Sequence, residues 1–85
     1  MIERREYLKL PLMDKIKFLY EHGSYIMSIR YYGHKINLYV LNGYFVEVFY
    51  NHRRALIDKV DVLDMNHSRM QFYFDQIRLP DCLLK

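Results

Sequence analysis

Hydrophobic side chains recur every three or four positions after Pro11, and the charged residues between them fall mostly on the other side of a helix. The hydrophobic set is Leu12, Ile16, Leu19 and Tyr20. Pro11 suits the start of a helix, where its missing N–H costs no hydrogen bond, and Gly23 is typical of the position just after the last turn. The pattern predicts a helix over residues 12–22. Residues 1–10 are mixed and charged, so we expect them to be flexible or loosely packed.

From residue 24 onward the hydrophobic period changes to two, which is typical of β-strands. Tyr, Ile, Val and Phe dominate three segments, and these residues favour a pleated surface. The segments are 24–32, 35–41 and 44–50. Asn42-Gly43 predicts a two-residue hairpin turn of type I′, because that turn needs a positive φ at both central residues. Gly33-His34 predicts a tight turn of type II′, with glycine at its first central position.

The two predicted turns fix which residues lie opposite one another, and therefore which residues share a face of the sheet. Both turns sort the side chains in the same way. The predicted core face consists of Tyr25, Met27, Ile29, Tyr31, Ile36, Leu38, Val40, Phe45 and Phe49, with Glu47 as its one charged residue. The other face carries Tyr32, Tyr39, Tyr44 and Tyr50 beside Ile26, Leu41, Val46 and Val48. Such an apolar face requires a cover, either from residues 1–10 or the C-terminal tail, or from another chain.

A fourth strand is predicted over residues 55–63, and its register is open between two alternatives. With a four-residue loop, Leu56, Val60 and Val62 join the core face, but Asp58 then lies opposite Glu47. With a five-residue loop, Lys59 lies opposite Glu47 and the three apolar residues move to the other face. Packing favours the first alternative and charge favours the second.

A second helix is predicted over residues 68–78. Ser68 and Gln71 have the spacing of a capping box, and Pro80 would stop the helix. One helix face then carries Met70, Tyr73, Phe74 and Ile77. A strand over residues 71–77 is the alternative, because Phe72 and Phe74 also alternate with more polar neighbours.

Together these elements predict an α+β fold of order α-β-β-β-(β)-α. The fold is an antiparallel meander sheet with the N- and C-terminal helices packed on one face. Consecutive strands joined by tight hairpins need no crossover connections. We expect residues 1–85 to form a single domain.

Composition narrows the class of protein. The chain has 85 residues, of which 52% are hydrophobic and 27% charged, and its three Gly and two Pro exclude a disordered or collagen-like chain. The formal net charge of +3 is far below that of a dense basic stripe. Cys82 is the single cysteine, so no internal disulfide can form. Charges recur throughout the chain, so no membrane span is expected. We expect a soluble, cytoplasmic protein.

No arrangement of residues predicts an active site, a metal site or a cofactor. The four histidines are scattered and lack metal-ligand spacing, and nothing resembles a glycine-rich phosphate loop or a nucleophile elbow. We therefore expect a protein that is not an enzyme. Glu47 is the exception, because a carboxylate on a core face is costly and its pKa would rise. Paired with Asp58 it would form a general acid–base site, whereas near water or Lys59 it would be structural.

Two binding hypotheses arise from the tyrosine-rich face. The first is a non-enzymatic module that binds a protein partner or forms a homodimer through this face or a sheet edge. The second is a weak nucleic-acid binder, because aromatic rings beside cations are what single strands use. The interaction-face residues are Arg30, Tyr32, Lys35, Tyr39, Tyr44 and Tyr50. A small basic loop is formed by His52, Arg53 and Arg54.

Two segments carry a resemblance to other proteins. The run Lys17-Phe18-Leu19-Tyr20-Glu21-His22-Gly23 and the run from Asn42 to Asn51 resemble a group of short bacterial proteins of uncharacterised function. The likeness covers most of the chain from Pro11 onward, and its motifs are a helix end and a hairpin. It implies a compact stand-alone domain and no activity, substrate or cofactor.

Overall fold

The computed structural model describes residues 2–64, 70–71 and 73. Two helices precede a four-stranded sheet: α1 (Arg4–Leu8), α2 (Leu12–His22), β1 (Ser24–Tyr31), β2 (His34–Leu41), β3 (Tyr44–Asn51) and β4 (Leu56–Val62). The strands lie in the order β1-β2-β3-β4, and each neighbouring pair is antiparallel. The structure therefore confirms the predicted α+β class and the antiparallel meander.

Helix α2 has the predicted bounds. The amide of Lys15 donates to the carbonyl of Pro11 over 2.9 Å at its start, and the amide of Gly23 donates to that of Leu19 over 2.7 Å at its end. The structural reason for a glycine at position 23 differs from the expected one. Its φ is −85°, so it does not adopt the left-handed conformation; instead, a Cβ at this position would lie 2.7 Å from the carbonyl oxygen of Leu19. Close approach of the backbone explains the glycine.

The turn between β1 and β2 is displaced by one residue from its predicted place. Its central residues are Tyr32 and Gly33, with φ of 44° and 84°, so it has the same positive-φ pair as Asn42 and Gly43 at 49° and 81°. From Met27 to the turn, each cross-strand partner shifts by two positions, and Ile29 lies opposite Ile36. Because side chains alternate with a period of two, the shift leaves each of these residues on its expected face. The predicted turn is wrong, but the predicted faces of its flanking residues survive.

A bulge in β1 changes the face of Tyr25. The register shifts between Tyr25 and Met27, and Tyr25 pairs with Tyr39. An extra residue in one strand inverts the alternation beyond it. Tyr25 therefore lies on the same face as Tyr39, which corrects its predicted place on the core face.

Strand β4 adopts neither of the two predicted registers. Asn51 pairs with Leu56, and Ala55 closes the intervening turn with a φ of 56°. A shift between Phe49 and Tyr50 leaves Asp58 as an extra residue, so Glu47 lies opposite Asp61. Val60 and Val62 then lie opposite Val48 and Val46. Asp58 is therefore not the neighbour of Glu47. The two valines lie on the face that the five-residue-loop alternative predicts for them, although the register of that alternative is wrong.

Both faces of the sheet are covered, which corrects the expectation of a single core face. On what we call the helix face, α1 and α2 place Tyr7 and Leu19 against the sheet. The sheet residues buried there are Leu41, Val46, Val48 and Val60. The far face buries a second cluster formed by Ile29, Ile36, Leu38, Phe49, Leu63 and Tyr73, with Met70 packed against it. The face expected to need a cover is thus covered by the N-terminal residues of the chain itself.

Residues 2–10 are better packed than expected. Residues 4–8 form the helix α1, and the side chain of Tyr7 is 0% exposed at the centre of the helix-face cluster. The C-terminal prediction is only partly within the described residues. Met70, Gln71 and Tyr73 have helical backbone. The rest of the predicted 68–78 helix and the tail 79–85 lie outside the described residues.

Candidate functional site

Three tyrosines meet on the helix face beside the outer strand β1. Tyr39 of β2 lies between Tyr20 of α2 and Tyr25 of β1, with ring centroids 5.7 and 5.6 Å away. Tyr20 and Tyr25 are 54% and 58% exposed. Burial, reinforced by the neighbouring Tyr20 and Tyr25, raises the pKa of the Tyr39 hydroxyl above its ordinary value. We call these residues the tyrosine cluster; the cluster is a half-open aromatic surface at the edge of the sheet.

A hydrogen-bonded chain leads from this cluster along the helix face. The hydroxyl of Ser28 donates to Oδ1 of Asn37 over 2.6 Å, and the hydroxyl oxygens of Tyr25 and Ser28 are 2.6 Å apart. A serine hydroxyl has one proton, so Tyr25 must be the donor to Ser28. The two hydrogen bonds therefore run in one direction, from Tyr25 through Ser28 to Asn37. They fix the ring of Tyr25 over β1 and orient the amide of Asn37.

Beyond Ser28 the helix face carries a row of cations. Arg30 of β1 lies opposite Lys35 of β2, and Lys35 lies opposite Tyr50 of β3. The ring of Tyr50 contacts the ring of His52 with centroids 5.1 Å apart and planes at 86°. A groove of about 370 Å³ opens here, and the described residues that line it are Ser28, Ile29, Arg30, Lys35 and His52. None of these lining residues is acidic, so the basic groove is suited to anions.

The structure separates the residues of the predicted interaction face. Arg30 and Lys35 line the basic groove, and Tyr50 lies opposite Lys35 and in contact with His52. Tyr39 is instead partly buried beside Tyr20 of α2. Tyr44 is partly buried against the N-terminal residues, and its hydroxyl donates to the carbonyl of Ile2 over 3.1 Å. Tyr32 stands apart at the β1–β2 turn, 81% exposed. The predicted single tyrosine-lined face is thus divided into a covered part and an open part.

The predicted basic loop is also divided. His52 turns toward the basic groove. The backbone amide of Arg54 donates to Oδ1 of Asn51 over 3.1 Å, and its guanidinium lies 4.0 Å from a carboxylate oxygen of Asp58. Arg53 is exposed within the turn. The three residues therefore do not form one patch.

A second polar group, which the sequence did not indicate, gathers around Asp58. Nε2 of His34 lies 2.7 Å from Oδ2 of Asp58, and Nδ2 of Asn51 donates to the same oxygen over 3.0 Å. These hydrogen bonds, from Asn51 first and then His34, hold the pKa of the Asp58 carboxyl below its ordinary value. The β4 bulge is what brings Asp58 to this place, so the strand pattern alone could not reveal the group. It fixes the end of the sheet.

Glu47 is buried as expected, but its surroundings differ from both predictions. Its side chain is 0% exposed, and Oε2 accepts a 2.9 Å hydrogen bond from the hydroxyl of Tyr73. Lys59 pairs instead with Asp61 over 3.4 Å. The expected acid pair with Asp58 is wrong because Asp61 occupies that position. A carboxylate enclosed in this way has no access to a substrate, which favours a structural role.

Metal sites, membrane spans and known relatives give no lead to the function. No group of three or more His, Cys, Asp or Glu residues among those described could hold a metal ion. No helix in the described part of the chain is long and apolar enough to cross a membrane. No protein-family model, curated protein or solved structure matches the chain. The resemblance to short bacterial proteins stays a prediction, and the function proposed below rests on the side chains and strand edges of the fold.

Proposed function

We propose that this chain is a non-enzymatic interaction module that pairs with a second copy of itself through the edge of β1. The observation that carries the proposal is that β1 is an edge strand of the described sheet. Among the described residues, β1 is hydrogen-bonded to β2 alone. Edge strands are the strands that pair with a further strand when two chains associate through their sheets.

The side chains along this edge support pairing. Tyr25 and Ile26 are 58% and 44% exposed, and Tyr20 of the tyrosine cluster adds apolar surface beside them. Strands that avoid pairing usually carry lysine or proline at the edge. A bulge interrupts β1 near Ile26, but the strand contains neither of those residues. Burial of this apolar surface by a second copy would be favourable.

The charges of β1 are compatible with antiparallel pairing of two copies of this strand. Arg30 is the only charged residue in Ser24–Tyr31. In a two-fold pair centred on Ser28, Arg30 of one copy lies opposite Ile26 of the other, and no like charges meet. The pair would extend the sheet across both copies without altering either core.

The proposed module acts in the cytoplasm and catalyses no reaction. The role is non-enzymatic, which the enclosure of Glu47 supports. The location is the cytoplasm, which the single cysteine supports because cytoplasmic proteins rarely depend on disulfides. A heterologous protein could use the same edge by adding a strand, and it would compete with the second copy.

Sedimentation of variants at Ile26 tests the register directly. Ile26→Lys places a second cation opposite Arg30, so we expect a monomer at tens of micromolar, where the native chain is dimeric. Ile26→Glu places an anion opposite Arg30, so we expect it to keep or strengthen the dimer. Met13→Lys is the matched control, because Met13 is 72% exposed on α2 and the charge change is the same as in Ile26→Lys.

The expected order of dimer affinity is Ile26→Glu at or above the native chain, Met13→Lys close to it, and Ile26→Lys far below. A native chain that sediments as a monomer throughout this range contradicts the proposal. Equal weakening by Ile26→Lys and Ile26→Glu would contradict the β1 register and with it the contact surface named here.

A further inference from the structure

We propose that Asn42 is a site of spontaneous deamidation, and that its conversion to aspartate or isoaspartate loosens the N-terminal segment, residues 2–10, from the sheet. The site is the turn between β2 and β3, where Asn42 and Gly43 are the two central residues. It shares no residue with the proposed contact along β1. The inference therefore does not rest on self-association.

The reaction at Asn42 needs no reagent other than water. The backbone nitrogen of Gly43 forms a bond to Cγ of Asn42, and Nδ2 leaves as ammonia with the proton that the Gly43 nitrogen gives up. Water then opens the cyclic imide. Attack at the side-chain carbonyl gives aspartate, and attack at the backbone carbonyl gives isoaspartate. One water is consumed and one ammonia is released, with no change in oxidation state.

The exposure of the turn is the first observation that supports this site. Asn42 and Gly43 are both exposed. Apart from its chain neighbours, no atom lies within 4 Å of the place where a Cβ of residue 43 would be. Water therefore reaches the turn, and no side chain shields the attacking nitrogen. The other asparagines among the described residues, Asn37 and Asn51, each precede a residue with a side chain, which hinders the same attack.

The contact of Asn42 with the N-terminal segment is the second observation. Nδ2 of Asn42 and the hydroxyl of Tyr44 each donate to the carbonyl oxygen of Ile2 over 3.1 Å. These hydrogen bonds dock the start of the segment on the β2–β3 hairpin. Deamidation removes Nδ2, so the carbonyl loses one of these two donors. The new carboxylate only accepts hydrogen bonds, as the carbonyl does, and cannot replace the lost contact.

The charges around the turn do not compensate for this loss. Burial, and after it the carboxylates of Glu3 and Glu6, raise the pKa of the Tyr44 hydroxyl, so both acids lie near this end of the sheet. Arg4 lines a groove together with Gly43 and Tyr44. A carboxylate at position 42 would thus be added to a neighbourhood of two anions and one cation.

Isoaspartate has a further effect, because it adds a carbon atom to the backbone of the turn. Asn42 and Gly43 form a two-residue connection between Leu41 and Tyr44, and both have a positive φ. A longer backbone does not fit this type of turn. The end of the hairpin to which Ile2 docks is therefore disturbed as well.

Peptide mapping of the aged full chain by mass spectrometry tests the site. We expect Asn42 to deamidate ahead of Asn37 and Asn51, and to give both aspartate and isoaspartate. The reaction should be faster in urea, because the turn and the hydrogen bond to Ile2 restrain the side chain in the folded state. Gly43→Ala should slow the reaction in urea, where a positive φ is no longer required and only the added side chain matters.

Limited proteolysis by trypsin tests the consequence, because Arg4, Arg5 and Lys9 lie in the N-terminal segment. Asn42→Asp reproduces one product of the reaction. We expect its segment to be cleaved about fivefold faster than that of the native chain, the factor that corresponds to the net contribution of one hydrogen bond. Asn37→Asp is the matched control. It makes the same change in β2 and keeps an oxygen to accept from Ser28, so its segment should be cleaved at the native rate.

Several results would overturn the inference. One is deamidation at Asn37 or Asn51 as early as at Asn42, and another is an equal rate at Asn42 in buffer and in urea. A third is cleavage of Asn42→Asp at the native rate, or no faster than that of Asn37→Asp. The last result would show that the side-chain amide of Asn42 does not hold the N-terminal segment.

Discussion

The hydroxyl of Tyr73 donates a hydrogen bond of 2.9 Å to Oε2 of Glu47 in the interior of the far face. Glu47 is 0% exposed and Tyr73 is 3% exposed. A buried carboxyl without donors would lose the solvation that it has in water, so this contact offsets part of the burial cost. It also connects Tyr73 to β3, across 26 positions of sequence.

Removal of the Tyr73 hydroxyl should therefore destabilise the fold. We expect Tyr73→Phe to lower the free energy of unfolding by about 1–3 kcal/mol, because the carboxyl of Glu47 loses a donor in a buried site. Urea denaturation gives the value. A double-mutant cycle with Glu47→Gln isolates the pair, and a coupling energy of zero would contradict the contact.

Tyr7 predicts how stability changes at alkaline pH. Its hydroxyl donates to the carbonyl of Lys15 over 2.8 Å, and burial, with a smaller effect from the neighbouring Tyr44, raises its pKa well above the ordinary value. The folded state therefore favours the protonated phenol. That contribution is fully present below the unfolded pKa, near 10, and is lost as pH rises through the higher folded pKa.

The variant Tyr7→Phe tests both parts of this contribution. At neutral pH we expect a loss of about 1 kcal/mol, the usual net value of one hydrogen bond. Above pH 10 the variant should lose less stability with rising pH than the native chain, because it has no phenol to ionise at this site. The free energy of unfolding of both proteins is measured by denaturation at neutral and alkaline pH. If the difference between the two proteins stays the same at both pH values, the raised pKa assigned to Tyr7 is wrong.

Asp58 predicts the opposite trend in acid. Hydrogen bonds from Asn51 and His34 lower its pKa below the ordinary 3.8, so the folded state favours the carboxylate. Its contribution to stability is present above the unfolded pKa and is lost as pH falls through the lower folded pKa. We expect Asp58→Asn to be less stable than the native chain at neutral pH and to differ from it less in strong acid. Asp14→Asn, which makes the same charge change on an exposed part of α2, should show no such convergence.

The helix α2, the strands and the Asn42-Gly43 turn can be predicted because each has a local sequence signal. Alternation along β1 and β2 is enough to place Arg30 and Lys35 on one face, even though the predicted turn between them is misplaced by one residue. That error does not change the predicted faces of Arg30 and Lys35. Moving both central positions of a two-residue turn by one changes the cross-strand pairing by two, and side chains alternate with a period of two. The cations of the basic groove are therefore recognisable from the sequence alone.

The two bulges cannot be predicted, and they account for most of the site that the sequence does not reveal. An extra residue near Ile26 and at Asp58 has no fixed sequence signature, yet each inverts the face of the strand residues on one side of it. The first moves Tyr25 into the tyrosine cluster, and the second brings Asp58 to His34. A sheet with apolar residues on both faces also gives no local indication of which face the helices will cover.

A substitution in the β1–β2 turn should stabilise the fold. Tyr32 has a φ of 44°, which costs a bulky residue about 1–2 kcal/mol, and it is 81% exposed, so its side chain returns little packing energy. Asparagine tolerates this conformation and is favoured before glycine in a type I′ turn. We expect Tyr32→Asn to raise the free energy of unfolding by about 0.5–1 kcal/mol. Tyr32→Ala is the matched control, because it loses the same ring contact with Tyr31 without the tolerance for positive φ. If thermal unfolding finds the asparagine variant no more stable than the alanine variant, the backbone conformation assigned to Tyr32 is wrong.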